Sequence, residues 1–213
     1  MSIDVSQEEN MDKYVITVTR QFGSMGRPIA KKLAEILGIA YYDRELINIT
    51  ADKLGLPAEE IYKQEEKAAA REFDPDVEVM GRPIWAKSRD LKDDIFEIQK
   101  GLIKKFAAEQ TCVIVGRCAD FVLSDMENAM HIYIYAPYEA RLQHTITDLG
   151  IDKADAPGVI YRVDEARENY RMQYAGFHSD DKRHKDLMIN SSLLGIGGTA
   201  KYLAQAVRMR FGA

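Results

Sequence analysis

The sequence from Val15 to Leu37, VITVTRQFGSMGRPIAKKLAEIL, decides the fold of this chain. It opens with a short apolar run rich in β-branched residues, which predicts a strand that is buried on both faces. A turn containing Gly23 and Gly26 follows the strand. Apolar residues then recur at helical spacing, Pro28 suits the first turn of a helix, and Gly38 suits its end. The stretch therefore predicts a strand, a glycine turn and an amphipathic helix.

A strand, turn and helix of this kind can bind an anion, because main-chain N–H groups at the turn and at the helix start converge. The usual phosphate-loop signature, G-x-x-x-x-G-K-[ST], fits poorly, since Gln21 stands at its first glycine when Gly26 is the second. Arg27 then takes the lysine position and Pro28 the hydroxyl position. The guanidinium of Arg27 can still form bidentate hydrogen bonds to phosphate oxygens, and Ser24 offers a hydroxyl nearby. A phosphate-binding loop and a turn without a ligand both remain open.

The composition argues against several classes of protein. The chain has 213 residues, 46% of them hydrophobic, which is enough for one domain with a single core. Its net charge of −5 argues against a general binder of nucleic acid or of acidic membranes. No stretch is long enough to span a membrane, and residues 1–12 are polar and acidic, unlike a secretion signal. We therefore expect a cytoplasmic protein with a flexible leader at 1–12 and with Cys112 and Cys118 reduced.

Apolar runs and helical patterns alternate along the rest of the chain. The further predicted strands are 39–43, 111–116, 130–136 and 187–190. The predicted helices after the first are 45–54, 57–70, 91–106, 138–149, 157–174 and 196–211, the last with Ala200, Leu203, Ala204 and Val207 inward. This alternation predicts a doubly wound parallel sheet, with a mostly helical block inserted between its second and third strands.

Charged residues follow the ends of the predicted strands, where ligands collect in open α/β sheets. Asp43 and Arg44 follow the second strand, and Asp43 can either face a substrate or cap the next helix. Gly116 and Arg117 end the third strand. The Arg117 guanidinium can bind a phosphate there or pair with a neighbouring carboxylate such as Asp120.

The helix predicted at 157–174 carries Asp164, Arg167 and Arg171 on one face. Ion pairs within the helix would explain Asp164 and Arg167, while two arginines one turn apart could close over a transferring phosphoryl group. Both interpretations stay open. The loop at 177–185 contains two histidines and two aspartates, but their spacing matches no familiar ligand pattern, and we predict no metal site there.

Four segments resemble the cytidylate kinase-like family, whose members are relatives of bacterial cytidylate kinase among the P-loop nucleoside monophosphate kinases. They are ITVTRQFGSMGR at 16–27, YYDRELI at 41–47, VIVGR at 113–117 and DLMIN at 186–190. The resemblance runs from about Lys13 to Phe211. It implies a P-loop NTPase-type three-layer fold, with a five-stranded parallel sheet flanked by helices. It also implies a helical monophosphate-binding insertion at about 43–108 and a lid at about 150–185.

The resemblance implies an ATP-dependent phosphotransferase that acts on a nucleoside monophosphate or a similar small phosphate acceptor. ATP phosphates are then expected at Gly23, Ser24, Met25, Gly26, Arg27 and Pro28. The expected catalytic residues are Arg27, Arg167 and Arg171. The acceptor is expected at Asp43, Arg44, Arg117 and Asp120, although Cys118 replaces the aspartate of the Gly-Arg-Asp motif of cytidylate kinase.

The expected partners are nucleotides and small-molecule substrates. Mg²⁺ is expected without a dedicated Ser or Thr ligand, because Pro28 stands where that hydroxyl would be. Two alternatives to a nucleoside monophosphate kinase stay open. One is a nucleotide- or phosphate-binding module without turnover, and the other is a kinase of a non-nucleotide metabolite.

Overall fold

The computed structural model describes residues 13–61 and 91–212. Its strands are β1 (Val15–Arg20), β2 (Ala40–Tyr42), β3 (Cys112–Val115), β4 (Ala129–Tyr135) and β5 (Leu187–Asn190). Its helices include α1 (Gly26–Leu37), α2 (Arg44–Leu54), α3 (Leu91–Glu109), α4 (Ala119–Val122), α5 (Tyr138–Thr147), α6 (Ala156–Tyr174) and α7 (Gly195–Phe211). The leader predicted at 1–12 lies outside the described residues, as do residues 62–90 of the predicted insertion.

All five strands are parallel and form one sheet in the order β2-β3-β1-β4-β5. This confirms the predicted α/β fold with a five-stranded parallel sheet flanked by helices. β1 lies at the centre, and its first four residues are buried, as expected for a strand that is covered on both faces.

Two apolar clusters pack on the sheet, one on each face. One joins α1 and α7 to the sheet, and it includes the predicted inward residues Ala200, Leu203, Ala204 and Val207, all fully buried. The other joins α3 and α4 to the sheet. The chain leaves β1 through α1 on one face and leaves β3 through α4 on the other. A crevice therefore opens between the carboxyl ends of β1 and β3, where the direction of the connections reverses.

The ends of α1 agree with the sequence pattern. Pro28 lies in its first turn, and Gly38 follows its last residue in the left-handed conformation with φ 68°. No helix in the described part of the chain combines the length and the apolar character that a membrane span requires.

Candidate functional site

A cavity of about 130 Å³ lies in the crevice at the carboxyl ends of β1 and β3. Five arginines line it: Arg20, Arg27, Arg117, Arg167 and Arg171. None of the other described residues in its lining is acidic. Pockets that enclose a drug-sized ligand hold roughly 300–1,000 Å³, so this cavity suits a phosphate-sized group at the bottom of a larger crevice.

Four of these arginines were expected in the site, and the structure brings them together from α1, α6 and the end of β3. The fifth, Arg20, was missed by the sequence reasoning. A signal was available, because Arg20 is the last residue of a buried strand and directly precedes the glycine turn. The same position at a strand end had singled out Arg117.

Arg27 forms an ion pair with Asp43, whose carboxylate is only 4% exposed. The Tyr41 hydroxyl also donates to Asp43, over 3.4 Å. Burial first, and then the charge of Asp43, raise the pKa of Tyr41, so that hydroxyl stays a donor. Asp43 occupies the N-cap position of α2, as one alternative predicted, but its side chain makes no capping hydrogen bond there. Arg44 is exposed and does not line the cavity.

Asp120 is buried between two cations, Arg171 and Lys185. Its Oδ1 accepts from Nη1 of Arg171 at 3.0 Å, and its Oδ2 contacts both Nη2 of Arg171 and Nζ of Lys185. The Asp120 side chain is 1% exposed and that of Lys185 is fully buried. Burial lowers the pKa of Lys185, and the Asp120 charge opposes that shift. Asp120 thus holds Arg171 at the cavity wall, and the sequence did not indicate Lys185 as its partner.

The crowding of guanidiniums changes the electrostatics of the cavity. Burial lowers the pKa of Arg20 well below its ordinary value, and the charges of Arg167 and Arg117 lower it further. Burial is also the main reason that the pKa of Arg167 falls to about 10. Both shifts mean that the charged forms of Arg20 and Arg167 are disfavoured in the cavity. An anion bound there would favour the charged forms again.

The β3–α4 turn (residues 116–118) borders the cavity in an unusual conformation. Its three residues are all left-handed, with φ of 76° at Gly116, 57° at Arg117 and 52° at Cys118. For a residue with a side chain this conformation costs about 1 kcal/mol, and such strain clusters at functional sites. Burial raises the pKa of the Cys118 thiol to about 12, so it is no nucleophile at neutral pH.

The β1–α1 turn (residues 21–25) lies outside the cavity, as do Gly26 and Pro28. Ser24 is fully buried, and its hydroxyl donates to the main-chain carbonyl of Gln21 over 2.9 Å. Gly23, with φ 72°, packs so closely on α5 that a Cβ there would lie 2.7 Å from the Arg141 carbonyl oxygen. Met25 is also left-handed, with φ 58°. Among residues 23–28, only Arg27 lines the cavity.

Helix α6 binds to the β1–α1 turn through side chains. The Asp164 carboxylate accepts from the Phe22 main-chain N–H at 2.7 Å and pairs with Arg141 of α5. Arg167 donates to the main-chain carbonyl of Arg20 over 3.4 Å. The ion pairs of the described residues include none between Asp164 and Arg167, so the ion pair within the helix, one of the two open interpretations, is not formed. The charge of Asp164 still raises the pKa of Arg167 against the effect of burial. These contacts hold α6, and with it Arg167, over the crevice.

The C-terminal half of α6 also contacts α3, and this links the predicted lid to the predicted insertion. The Tyr170 hydroxyl donates to Oε1 of Gln99 at 3.2 Å, and the Tyr174 hydroxyl donates to Asp93 at 3.0 Å. Tyr174 also stacks on Phe96 with ring centroids 4.1 Å apart. Tyr170 lines the cavity and gives it an aromatic wall beside the arginines.

Carboxylates near the cavity are already engaged by arginines, Asp43 by Arg27 and Asp120 by Arg171. Among the described residues, no group of three or more His, Cys, Asp or Glu is placed to hold a metal ion. These residues do not provide a ligand set for Mg²⁺, and we assign no step to a metal held by the protein.

Comparison with known proteins gives a family match and several similar folds. The profile of the Cytidylate kinase-like family matches residues 15–193. The crystal structure of an uncharacterized protein from Eubacterium ventriosum is 24% identical, with a TM-score of 0.64 over 94% of this chain and 99% of that chain. No curated protein matches the sequence.

Two shikimate kinases share the fold at lower identity. The enzyme from Acinetobacter baumannii, in complex with shikimate, is 14% identical, with a TM-score of 0.51 over 95% of both chains. The enzyme from Bacteroides thetaiotaomicron is 11% identical, with a TM-score of 0.54 over 92% of this chain and 98% of that chain. At such identities the likeness shows the fold alone.

Proposed function

The chain belongs to the cytidylate kinase-like family, and we propose that it is an ATP-dependent phosphotransferase whose acceptor is a nucleoside monophosphate or a similar small phosphate compound. One observation supports this most: five arginines line one cavity at the switch point of the sheet, and none of the described residues around that cavity is acidic. Such a concentration of positive charge favours a ligand that carries several negative charges close together. Two phosphates that meet for transfer are such a ligand.

The proposed reaction is direct transfer between two bound molecules. An oxygen of the acceptor phosphate forms a bond to the γ-phosphorus, the bond to the bridging oxygen breaks, and its electron pair stays on ADP. Catalysis of such a step rests on positioning and on neutralising charge, which guanidiniums can provide. An acceptor phosphate is already ionised, so it needs no strong general base.

The arginines divide between the two substrates in this proposal. Arg27, at the start of α1, binds the donor phosphates together with the main-chain N–H groups of Gly26 and Arg27, since Pro28 has no N–H and that of Ile29 donates to Met25. Arg117 binds the acceptor phosphate. Arg167 and Arg171 neutralise the charge of the group in transfer.

The remaining candidates take supporting roles. Asp43 orients Arg27, and Asp120 orients Arg171. The other residues expected at the ATP phosphates fix the path of the main chain into α1: Gly23, Ser24, Met25, Gly26 and Pro28. Arg44 is proposed to contact the outer part of the acceptor. The insertion at about 43–108 would hold the acceptor, and the lid at about 150–185 would carry the α6 arginines over it.

An acceptor panel tests the proposal. The purified protein is incubated with ATP, Mg²⁺ and one acceptor at a time, including CMP, UMP, AMP and GMP. ADP release and the mass of the product are measured together. We expect ADP and phosphorylated acceptor in equal amounts with at least one acceptor, and no ADP without one. Binding of ATP by thermal shift, with no transfer to any acceptor, would instead support a binding module.

A second candidate is a kinase of a small non-nucleotide acceptor that carries a carboxylate. The small volume of the cavity favours it, and one shikimate kinase of the same fold was crystallised with such a compound. A hydroxyl nucleophile needs a base, and Asp43 is a buried carboxylate beside Arg27. The substitution D43N distinguishes the two candidates: it should abolish transfer to a hydroxyl but only weaken transfer to a phosphate. Shikimate and other hydroxy acids therefore belong in the panel.

A further inference from the structure

Two glycines of the site make room for the side chain of Arg20. A Cβ at Gly26 would lie 2.6 Å from the Cβ of Arg20, and a Cβ at Gly116 would lie 2.3 Å from its Nη1. Real Cβ atoms do not approach other atoms so closely. The stem of Arg20 therefore passes beside Gly26, and its guanidinium rests against Gly116. Gly26 begins α1 and Gly116 follows β3, so the space for the Arg20 side chain exists only in the folded chain.

Two of the five arginines that line the cavity have a carboxylate partner of their own, since Arg27 pairs with Asp43 and Arg171 pairs with Asp120. Arg20 forms no ion pair with any of the described residues. Its charged neighbours are mostly other guanidiniums, those of Arg167, Arg117 and Arg27, and Asp43 is the carboxylate that acts on it. An arginine that served only to hold the fold together would be expected to have a carboxylate of its own.

Arg20 also lies between the two halves of the proposed reaction. Its main chain leads into the β1–α1 turn and Arg27, on the donor side. Its guanidinium lies against Gly116, next to Arg117 on the acceptor side. Arg27 is less suited to the central position, because its side chain is 41% exposed and its charge is partly neutralised by Asp43.

We propose that Arg20 is a catalytic residue that binds the phosphoryl group in transfer, and that Gly26 and Gly116 serve to seat its guanidinium. The proposal rests on the proposed function and deepens it, because it adds a residue from the end of β1 to the arginines that bind the group in transfer. The group that Arg20 binds is a phosphate that carries two or more negative charges.

Arg20 is expected to destabilise the protein while no anion is bound. Without an anion, Arg20 repels its neighbours, and replacing it with a neutral residue relieves that repulsion. The substitution R20Q should therefore raise the melting temperature of the ligand-free protein, or leave it unchanged, while it weakens anion binding. An arginine with a purely structural role would show the opposite, a lower melting temperature and unchanged binding.

The test measures thermal unfolding of the full chain against pyrophosphate at constant ionic strength, together with transfer in the acceptor panel. The variants are R20Q, R20K and G116A, and the control is R162Q, an exposed arginine of α6 outside the cavity. We expect saturable stabilisation of the wild type and R162Q. R20Q should bind pyrophosphate about tenfold more weakly, because one charge-assisted hydrogen bond is lost. Its transfer rate should fall about 10³-fold.

G116A keeps the charge of Arg20, but the added methyl group takes the space that the Arg20 guanidinium occupies beside residue 116. G116A should therefore also weaken pyrophosphate binding. R20K keeps a charge without the fork and should lie between the wild type and R20Q. Equal pyrophosphate affinity in R20Q and the wild type would overturn the role of Arg20 and leave the proposed function standing. Failure of the wild type to bind pyrophosphate would also overturn it. Binding that needs Arg20, without transfer to any acceptor, would support Arg20 as an anion ligand and count against the proposed function.

Discussion

Two turns meet at the crevice, and they use their left-handed residues differently. In the β1–α1 turn, Gly23 is left-handed, and the space beside it is filled by α5. In the β3–α4 turn, Gly116 is left-handed, and the space beside it is filled by the guanidinium of Arg20. The first turn is bound to β4 through Ser24 and to α6 through Phe22, while all three residues of the second turn line the cavity.

The difference shows that a glycine turn after a buried strand does not by itself indicate which group occupies the space beside the glycine. The sequence pattern made the β1–α1 turn a candidate anion site, because main-chain N–H groups at a glycine turn and at a helix start converge. The structure gives the β3–α4 turn the larger share of the cavity lining. Substitutions around the two turns can test whether the first one binds a ligand or mainly supports the second.

The largest effect is expected from R27A. Arg27 is the residue after the β1–α1 turn that reaches the cavity, and transfer should fall about 10³-fold, as when an arginine that neutralises a transferring phosphoryl group is lost. The measurement is ADP formation with the best acceptor of the panel. R27A also leaves the buried Asp43 carboxylate without its cation, so the double variant R27A/D43A serves as a control for stability. Unchanged turnover in either variant would remove the β1–α1 side from the site.

The next effect concerns D120N, just after the β3–α4 turn. The substitution leaves Arg171 and Lys185 buried without their carboxylate, and the free energy of unfolding should fall by about 3 kcal/mol. Urea denaturation measures it. D125N, at an exposed aspartate five residues on, should unfold like the wild type. If both variants are equally stable, Asp120 does not hold Arg171 in place.

A smaller effect is expected from S24A. The Ser24 hydroxyl is buried on a main-chain carbonyl, so its loss should lower the free energy of unfolding by about 1 kcal/mol. The KM for ATP should stay as in the wild type, because this hydroxyl does not face the cavity. A tenfold rise in that KM would instead show that the β1–α1 turn binds the nucleotide through Ser24. S124A, at an exposed serine, is the matched control.

The smallest effect concerns His131, which lies in β4, away from both turns. Its Nδ1 is 2.8 Å from the Thr17 hydroxyl, and burial lowers the pKa of His131 below 6.5. Below pH 6.5 the unfolded chain therefore takes up the proton first, and the protein should lose stability as the pH falls through that window. In H131Q the stability should depend less on pH between 6.5 and 5, as measured by urea denaturation. An unchanged slope would assign this dependence to other groups.

The predicted strands and helices agree closely with the structure because they rest on local patterns. β5 spans the predicted residues 187–190, and α7 begins one residue before the predicted 196. The partners of Asp43 and Asp120 were not predictable in this way. Arg27 is 16 positions from Asp43, and Arg171 is 51 positions from Asp120, so no spacing rule connects them.

The order of residues determined the elements, the parallel sheet and the strand ends where charge would collect, because hydrophobic periodicity and helix signals act over a few residues. The sequence also indicated the family, because the family's motifs occur in the same order along this chain. The tertiary structure alone decided which arginines share the cavity, which carboxylates hold them, and that Gly26 and Gly116 make room for Arg20. These are matters of distance between chain segments far apart in sequence, and only packing sets such distances.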